Sequence, residues 1–206
     1  MSGIWVIIPL KPLTLAKSRL AKLLAPEQRQ RLAERLFRHV LATAQNAPQV
    51  AGTLVISRDT KALAIAREYG AKTLQETGGT PDLNLALMTA TSVVNSWKGR
   101  GVLILPADLP LLSRDDLAEI VMLGRESHAV VIATDRNEDG TNAMLVKPPG
   151  IFEYGYGVGS FQRHLTRARM AGAKVHVYHS ERLALDIDVP DDLAMYERMM
   201  HLEYEA

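Results

Sequence analysis

Two acidic segments, far apart in the chain, carry residues suited to metal-assisted phosphate chemistry. In VLILPADLPLL (residues 102–112) an apolar run gives way to Asp108, bracketed by Pro106 and Pro110. Near the other end, LALDIDVPDDL (residues 183–193) holds Asp186 and Asp188. A carboxylate at the edge of a buried strand is costly unless something stabilises it. Mg²⁺ is bound by one or two carboxylates together with phosphate oxygens and waters, and Asp108 with Asp186 would meet that need if both segments open on one crevice. The competing reading of Asp108 is a turn aspartate bonded to local amides. Asp186 and Asp188 are expected to diverge along an extended segment, so that only one faces a given site, and Asp186 is taken as that one. Asp191 and Asp192 read as helix-start chemistry beside Pro190.

Two further stretches could handle anions. PLKPLTLAKSRL (residues 9–20) places Lys11, Lys17 and Arg19 directly after a first strand, where nucleotide phosphates usually lie in α/β folds. Neither GxGxxG nor GxxxxGK[ST] is present, so side-chain charge would have to do the neutralising; the plain alternative is a solvated basic turn. In YGYGVGSFQRH (residues 154–164) three glycines free the backbone, and Ser160 then opens a helix whose exposed amides favour an anion. Arg163 and His164 are unhelpful to a helix start and make better sense if a phosphate or carboxylate docks there. A core-satisfied or exposed imidazole is the alternative for His164. Asp82 or Asn84 could cap the helix after ETGGTPDLNLAL, or Asn84 could meet a base or ribose. DRNEDGTNAML, with Thr141 and Asn142, reads as a hairpin.

The elements that must position these residues alternate along the chain. Strands are expected at Ile4–Pro9, 52–57, 71–76, 101–108, 128–134, 143–148 and 174–179. Helices are expected from Pro26, where Leu32, Leu36, Val40 and Ala44 fall at helical spacing, and over 60–70, 84–97, 113–126, 159–172 and 188–200. Ser113 and Asp116 form a capping-box-like pair. This alternation implies one domain over residues 1–206 with a mostly parallel sheet covered on both faces and ligands beyond the carboxyl ends of its strands.

Composition narrows the class. Of 206 residues, 47% are hydrophobic and 23% charged, with a net charge of +1 and no cysteine. Disulfides, thiolate zinc sites and a cysteine nucleophile are excluded. No nucleic-acid or membrane partner is expected from charge, no signal peptide is visible, and the cytoplasm is the default expectation. The apolar LAMYERMM near the terminus could pack on a partner in a homodimer or on its own sheet.

Together and in this order, PLKPLTLAKSRL, LPADLPLL, TDRNEDGTNAML, YGVGSFQRH and DIDVPDDL resemble the guanylyltransferases of coenzyme F420 biosynthesis, which act on 2-phospho-L-lactate or phosphoenolpyruvate. The resemblance covers nearly the whole chain. It implies a Rossmann-like nucleotidyltransferase fold of the nucleotide-diphospho-sugar transferase type, with GTP and a phosphorylated three-carbon acid as partners and Mg²⁺ held by Asp108 and Asp186. It further implies that Thr141, Gly157 and Ser160 bind the acid, that Lys11, Lys17 and Arg19 lie against the GTP phosphates, and that Asn84 lies near the nucleoside. Asp108, Asp186 and Lys17 are the expected catalytic set. Guanine selectivity rests on the resemblance alone, and spacing does not choose among phospholactate, phosphoenolpyruvate and phosphoglycerate. The rival readings are a molybdenum-cofactor or sugar-phosphate nucleotidyltransferase, whose usual glycine-rich entry loop is missing here, and a non-catalytic nucleotide-binding protein.

Overall fold

A computed structural model describes residues 3–205, with side chains to residue 199. Seven strands, β1 (Ile4–Leu10), β2 (Val50–Ser57), β3 (Lys72–Gln75), β4 (Gly101–Ile104), β5 (Ala129–Thr134), β6 (Thr141–Lys147) and β7 (Lys174–Val177), form one sheet in the order β3-β2-β1-β4-β6-β5-β7. Pairing is parallel except where β6 runs against β4 and β5. The helices are α1 (Pro26–Gln45), α2 (Thr60–Glu68), α3 (Leu83–Ser96), α4 (Arg114–Leu123), α5 (Ser160–Met170), α6 (Glu181–Ala184) and α7 (Pro190–Glu205).

Because side chains alternate along a strand, the apolar runs feed both faces. Val6, Ile8, Val55, Leu103, Leu105, Val131 and Leu145 pack with Phe37, Val40 and Leu41 of α1, Leu63 and Ala66 of α2, and Leu117 and Ile120 of α4. Trp5, Ile7, Leu54, Val102, Ile104, Ile132 and Met144 pack with Leu87 and Val94 of α3 and Phe161 and Leu165 of α5. A side chain at Gly52 would not fit, since its Cβ would stand 2.7 Å from the Trp5 ring.

Each expected strand and helix is found. The short α6 was not anticipated, and β4 ends at Ile104, leaving Leu105–Asp108 as a loop. Among the described residues, no helix is long and apolar enough to cross a membrane. Within LAMYERMM, Leu193 and Tyr196 pack on a small cluster of this same chain built from Leu20, Leu32, Leu36 and Ile187; the Met200 side chain lies outside the described residues.

Candidate active site

Asp108 follows β4 at the carboxyl edge of the sheet. Asp186 and Asp188 arrive on the extended segment between α6 and α7. One carboxylate oxygen from each lies within 4.8 Å of the others. The expected divergence of Asp186 and Asp188 is therefore overturned. Residues two apart on extended backbone share a face, and it is Ile187 that points the other way, fully buried in the cluster with Leu20, Leu32 and Leu36. The Ile187 N–H donates to the Asp108 carbonyl at 3.3 Å, which stitches the two segments together.

Lys17 enters this triad. Its Nζ donates to Asp108 at 2.6 Å and to Asp188 at 3.2 Å, with only 5% of the side chain exposed. Its backbone is left-handed, with φ 55°, which costs a non-glycine residue about 1 kcal/mol. Burial works against the Lys17 charge, but Asp108 and Asp188 outweigh it and hold its pKa above the ordinary value. Asp186 is pushed up to about 6 by burial and by the Asp108 and Asp188 charges, against a hydrogen bond from Asn142. Three crowded carboxylates with hard oxygen donors and one internal ammonium suit an added divalent cation of the magnesium kind.

Other contacts aim these groups. Asp59 caps α2 through Oδ1, while its Oδ2 accepts from the Leu13 N–H at 2.9 Å and so anchors the basic loop after β1. Buried Asp116 does more than cap α4: it also accepts from Tyr178, Ser180 and Arg182, fixing the start of α6 just upstream of Asp186. Asp192 accepts from the Asp188 and Val189 N–H groups, in keeping with helix-start chemistry, and pairs with Arg136.

Beside the triad lies a cavity of about 670 Å³ lined by Lys11, Lys17, Arg19, Arg58, Glu76 and Asp82, among others. Lys11 is exposed, and Arg19 pairs loosely with Asp188 at 3.4 Å. Arg58 and Glu76 had no sequence signal. They pair with each other, and Arg58 also donates to the Gly78 and Gly79 carbonyls, shaping the far wall. Asp82, not Asn84, caps α3. The Asn84 amide instead pairs with both backbone groups of Tyr156, accepting at 2.7 Å and donating at 3.3 Å. It thus ties the cavity wall to the glycine loop.

That loop departs from the expected open anion site. The Gly159 and Phe161 N–H groups at the start of α5 donate to Asp139. Arg163 donates to the Gly155 and Val158 carbonyls, so its charge holds the loop's own backbone. His164 is fully buried, and burial, with Arg167 and Arg163 adding to it, lowers its pKa to about 4. Ser160 is also buried and donates to Thr141 at 3.3 Å. Gly157 and Gly159 take φ of 128° and 70°, which glycine adopts readily.

Thr141 and Asn142 open β6. Ala133 pairs with Ala143 but Thr134 with Thr141, so Asn142 is the extra residue of a bulge. Bulges re-aim side chains: Thr141 meets Ser160 and His164 of α5, while Asn142 donates to the Leu183 carbonyl and to Asp186. The sequence pattern places Asn142 only in a hairpin, and its link to the triad depends on the bulge.

The geometry can be set against known proteins. The family model described as "Guanylyl transferase CofC like" matches residues 4–205. The chain belongs to the CofC-like guanylyltransferase family. The phosphoenolpyruvate guanylyltransferase of Rubrobacter xylanophilus is 35% identical over 202 residues, 98% of this chain and 97% of that one. The 2-phospho-L-lactate guanylyltransferase of Methanocaldococcus vulcanius is 32% identical over 189 residues, 91% of this chain and 81% of that one. The fold is also that of 4-diphosphocytidyl-2C-methyl-D-erythritol synthase from Anaerococcus prevotii, with TM-score 0.62, 12% identity, and 97% and 96% of the two chains covered. This CofC-like chain thus shares the fold of that synthase and is a guanylyltransferase by family.

Proposed function

We propose that this enzyme transfers GMP from GTP to the phosphate of a three-carbon phospho-acid, phosphoenolpyruvate or 2-phospho-L-lactate, and releases pyrophosphate. The convergence of Asp108, Asp186 and Asp188 beside a nucleotide-sized cavity, with Lys11, Lys17 and Arg19 along its wall, carries this reading. Phosphoenolpyruvate is the first acid to test, because the Rubrobacter relative that matches almost end to end is named for it. Coenzyme F420 biosynthesis is the pathway that the family implies.

An oxygen of the acid's phosphate attacks the α-phosphorus of GTP. A new P–O bond forms as the bond to the β-phosphate oxygen breaks, and pyrophosphate leaves with that electron pair. The nucleophile is already anionic near neutral pH, so neither a general base nor a covalent enzyme intermediate is needed. The remaining demand is to hold two polyanions in line and neutralise them. Asp108, Asp186 and Asp188 would hold Mg²⁺, which when bound supplies charge neutralisation at the triphosphate. Lys17, Lys11 and Arg19 add side-chain charge on the nucleotide side. Thr141, Gly157 and Ser160 receive the acid, and the Asn84–Tyr156 pairing keeps the glycine loop against the nucleotide wall.

The test is pyrophosphate release with GTP, magnesium and each acid in turn, with the products weighed by mass spectrometry. Asp108→Ala is expected to keep its fold by circular dichroism and to lose turnover by about 100-fold or more. Wild-type turnover in that variant would reject the assignment. Equal use of CTP or ATP would favour a relative of different base choice.

A further inference from the structure

His164 is a buried titratable residue to which the proposed chemistry gives no part. Its Nε2 faces the Gly155 N–H at 3.0 Å, and a backbone N–H can only donate, so Nε2 must be the acceptor. In a neutral imidazole the proton then sits on Nδ1. Nδ1 lies 2.9 Å from the Thr141 hydroxyl, which therefore accepts it. The Ser160 hydroxyl donates to the same oxygen at 3.3 Å. Both acceptor positions of the Thr141 oxygen are thereby filled, and its own proton has no acceptor among the described residues.

We propose that His164 is a positioning residue for the phospho-acid: as the Nδ1–H tautomer it saturates the Thr141 oxygen, leaving that hydroxyl able only to donate, and so to bind an anionic oxygen. This rests on the reading that the acid lies beside Thr141 and Ser160. A hydroxyl free to switch roles would accept from water or from a neutral hydroxyl equally well. One locked as a donor requires an acceptor, because a buried donor left unmatched is penalised, and it bonds most strongly to a carboxylate or phosphate oxygen, where charge assists the bond. Tyr156, whose ring lies 4.8 Å from the imidazole edge-on, and Phe152, at 6.3 Å, hold the ring in place.

The first test reads the tautomer directly in the native protein. Long-range ¹H–¹⁵N correlation spectra of histidine-labelled enzyme, with the His164 signal assigned by its loss in His164→Gln, are expected to show the proton on Nδ1; a proton on Nε2 overturns the proposal. The second is kinetic. His164→Asn keeps an amide near the Nδ1 position and is expected to stay within about threefold of wild type. His164→Gln reaches toward Gly155 instead and is expected to raise KM for the acid about tenfold while leaving KM for GTP unchanged. Placed on Thr141→Val, His164→Gln should add little, as expected of two residues acting through one contact. Equal effects of Asn and Gln, full additivity with Thr141→Val, or a matching rise in KM for GTP overturns the proposal. If Thr141→Val and Ser160→Ala both leave KM for the acid unchanged, the location of the acid is wrong. If Thr141→Val raises it and His164→Gln does not, only the role of His164 is wrong. If one His164 variant fails to fold, loss of the signal in the other assigns it, and the tautomer measurement on wild type still decides.

Discussion

Asp116 offers the sharpest check on how fold and site are joined. The carboxylate is completely buried and accepts from the Ser113 N–H and hydroxyl, the Tyr178 and Ser180 hydroxyls, and two nitrogens of Arg182. Burial alone would raise its pKa, but the bonds from Arg182, Ser113 and Ser180 outweigh burial and lower it from 3.8 to about 2. A group whose folded pKa is depressed stabilises the fold above its unfolded pKa and loses that contribution as pH falls through the folded one. At about 1.4 kcal/mol per unit, the shift amounts to about 2 kcal/mol at pH 7; about half remains at pH 3 and little below pH 2. Asp116→Asn removes the titration while nearly preserving shape. Urea unfolding followed by the fluorescence of Trp5 and Trp97 is expected to show wild type more stable by about 2 kcal/mol at pH 7, with the gap narrowing by about 1 kcal/mol at pH 3. A gap of the same size at both pH values would refute the reasoning, because a purely steric defect does not titrate. Since Ser180 and Arg182 begin α6, the variant is also expected to need more magnesium for half-maximal turnover.

Two further perturbations follow from the site. Lys17→Met removes the internal ammonium from three crowded carboxylates. Because Lys17 bonds Asp108 and Asp188 directly, turnover is expected to fall by about 100-fold; pyrophosphate release within about threefold of wild type would refute it. Asn84→Ala removes both bonds to Tyr156 and is expected to raise KM for GTP and for the acid together by several-fold, at about 1 kcal/mol of stability. A rise for GTP alone, measured by steady-state titration of each substrate, would assign Asn84 to the nucleoside rather than to the joint between the two loops.

Much of this arrangement was legible in the sequence because it is local. Alternating apolar runs and periodic stretches marked all seven strands, Ser113 with Asp116 marked the start of α4, and an aspartate closing an apolar strand marked the carboxyl edge. What stayed hidden depends on contacts between distant residues. The sharing of one face by Asp186 and Asp188 was open to a correct reading, since a two-residue spacing on extended chain carries that information. The Ile187 side chain that enforces it, by burial against Leu20, Leu32 and Leu36, belongs to another part of the fold. Asp59, Arg58 and Glu76 look like ordinary surface charges until their partners are known, and the bonds of Asp116 to Tyr178, Ser180 and Arg182 lie beyond its helix-capping pattern. The cationic first turn of α5 misled for a similar reason: Arg163 answers carbonyls of its own loop, which no helical pattern reveals.

The reversed strand explains why a site built at the edge of a parallel sheet includes residues held inside a ladder. Parallel strands deliver only their following loops to the carboxyl edge, and Asp108 reaches the site in that way. Because β6 runs the other way, its first residues lie at that same edge while still paired to β5, Thr141 with Thr134. Backbone pairing fixes them more tightly than a loop would. The bulge then sends adjacent side chains to opposite duties, Thr141 toward Ser160 and His164, Asn142 toward Leu183 and Asp186. In the proposed reaction the acid and the metal must keep a fixed separation for in-line attack, and here one peptide unit sets the spacing between their supports. Any change that slips the register at this bulge must therefore disturb acid recognition and carboxylate placement together, whereas changes confined to the glycine loop can alter the first and leave the second intact.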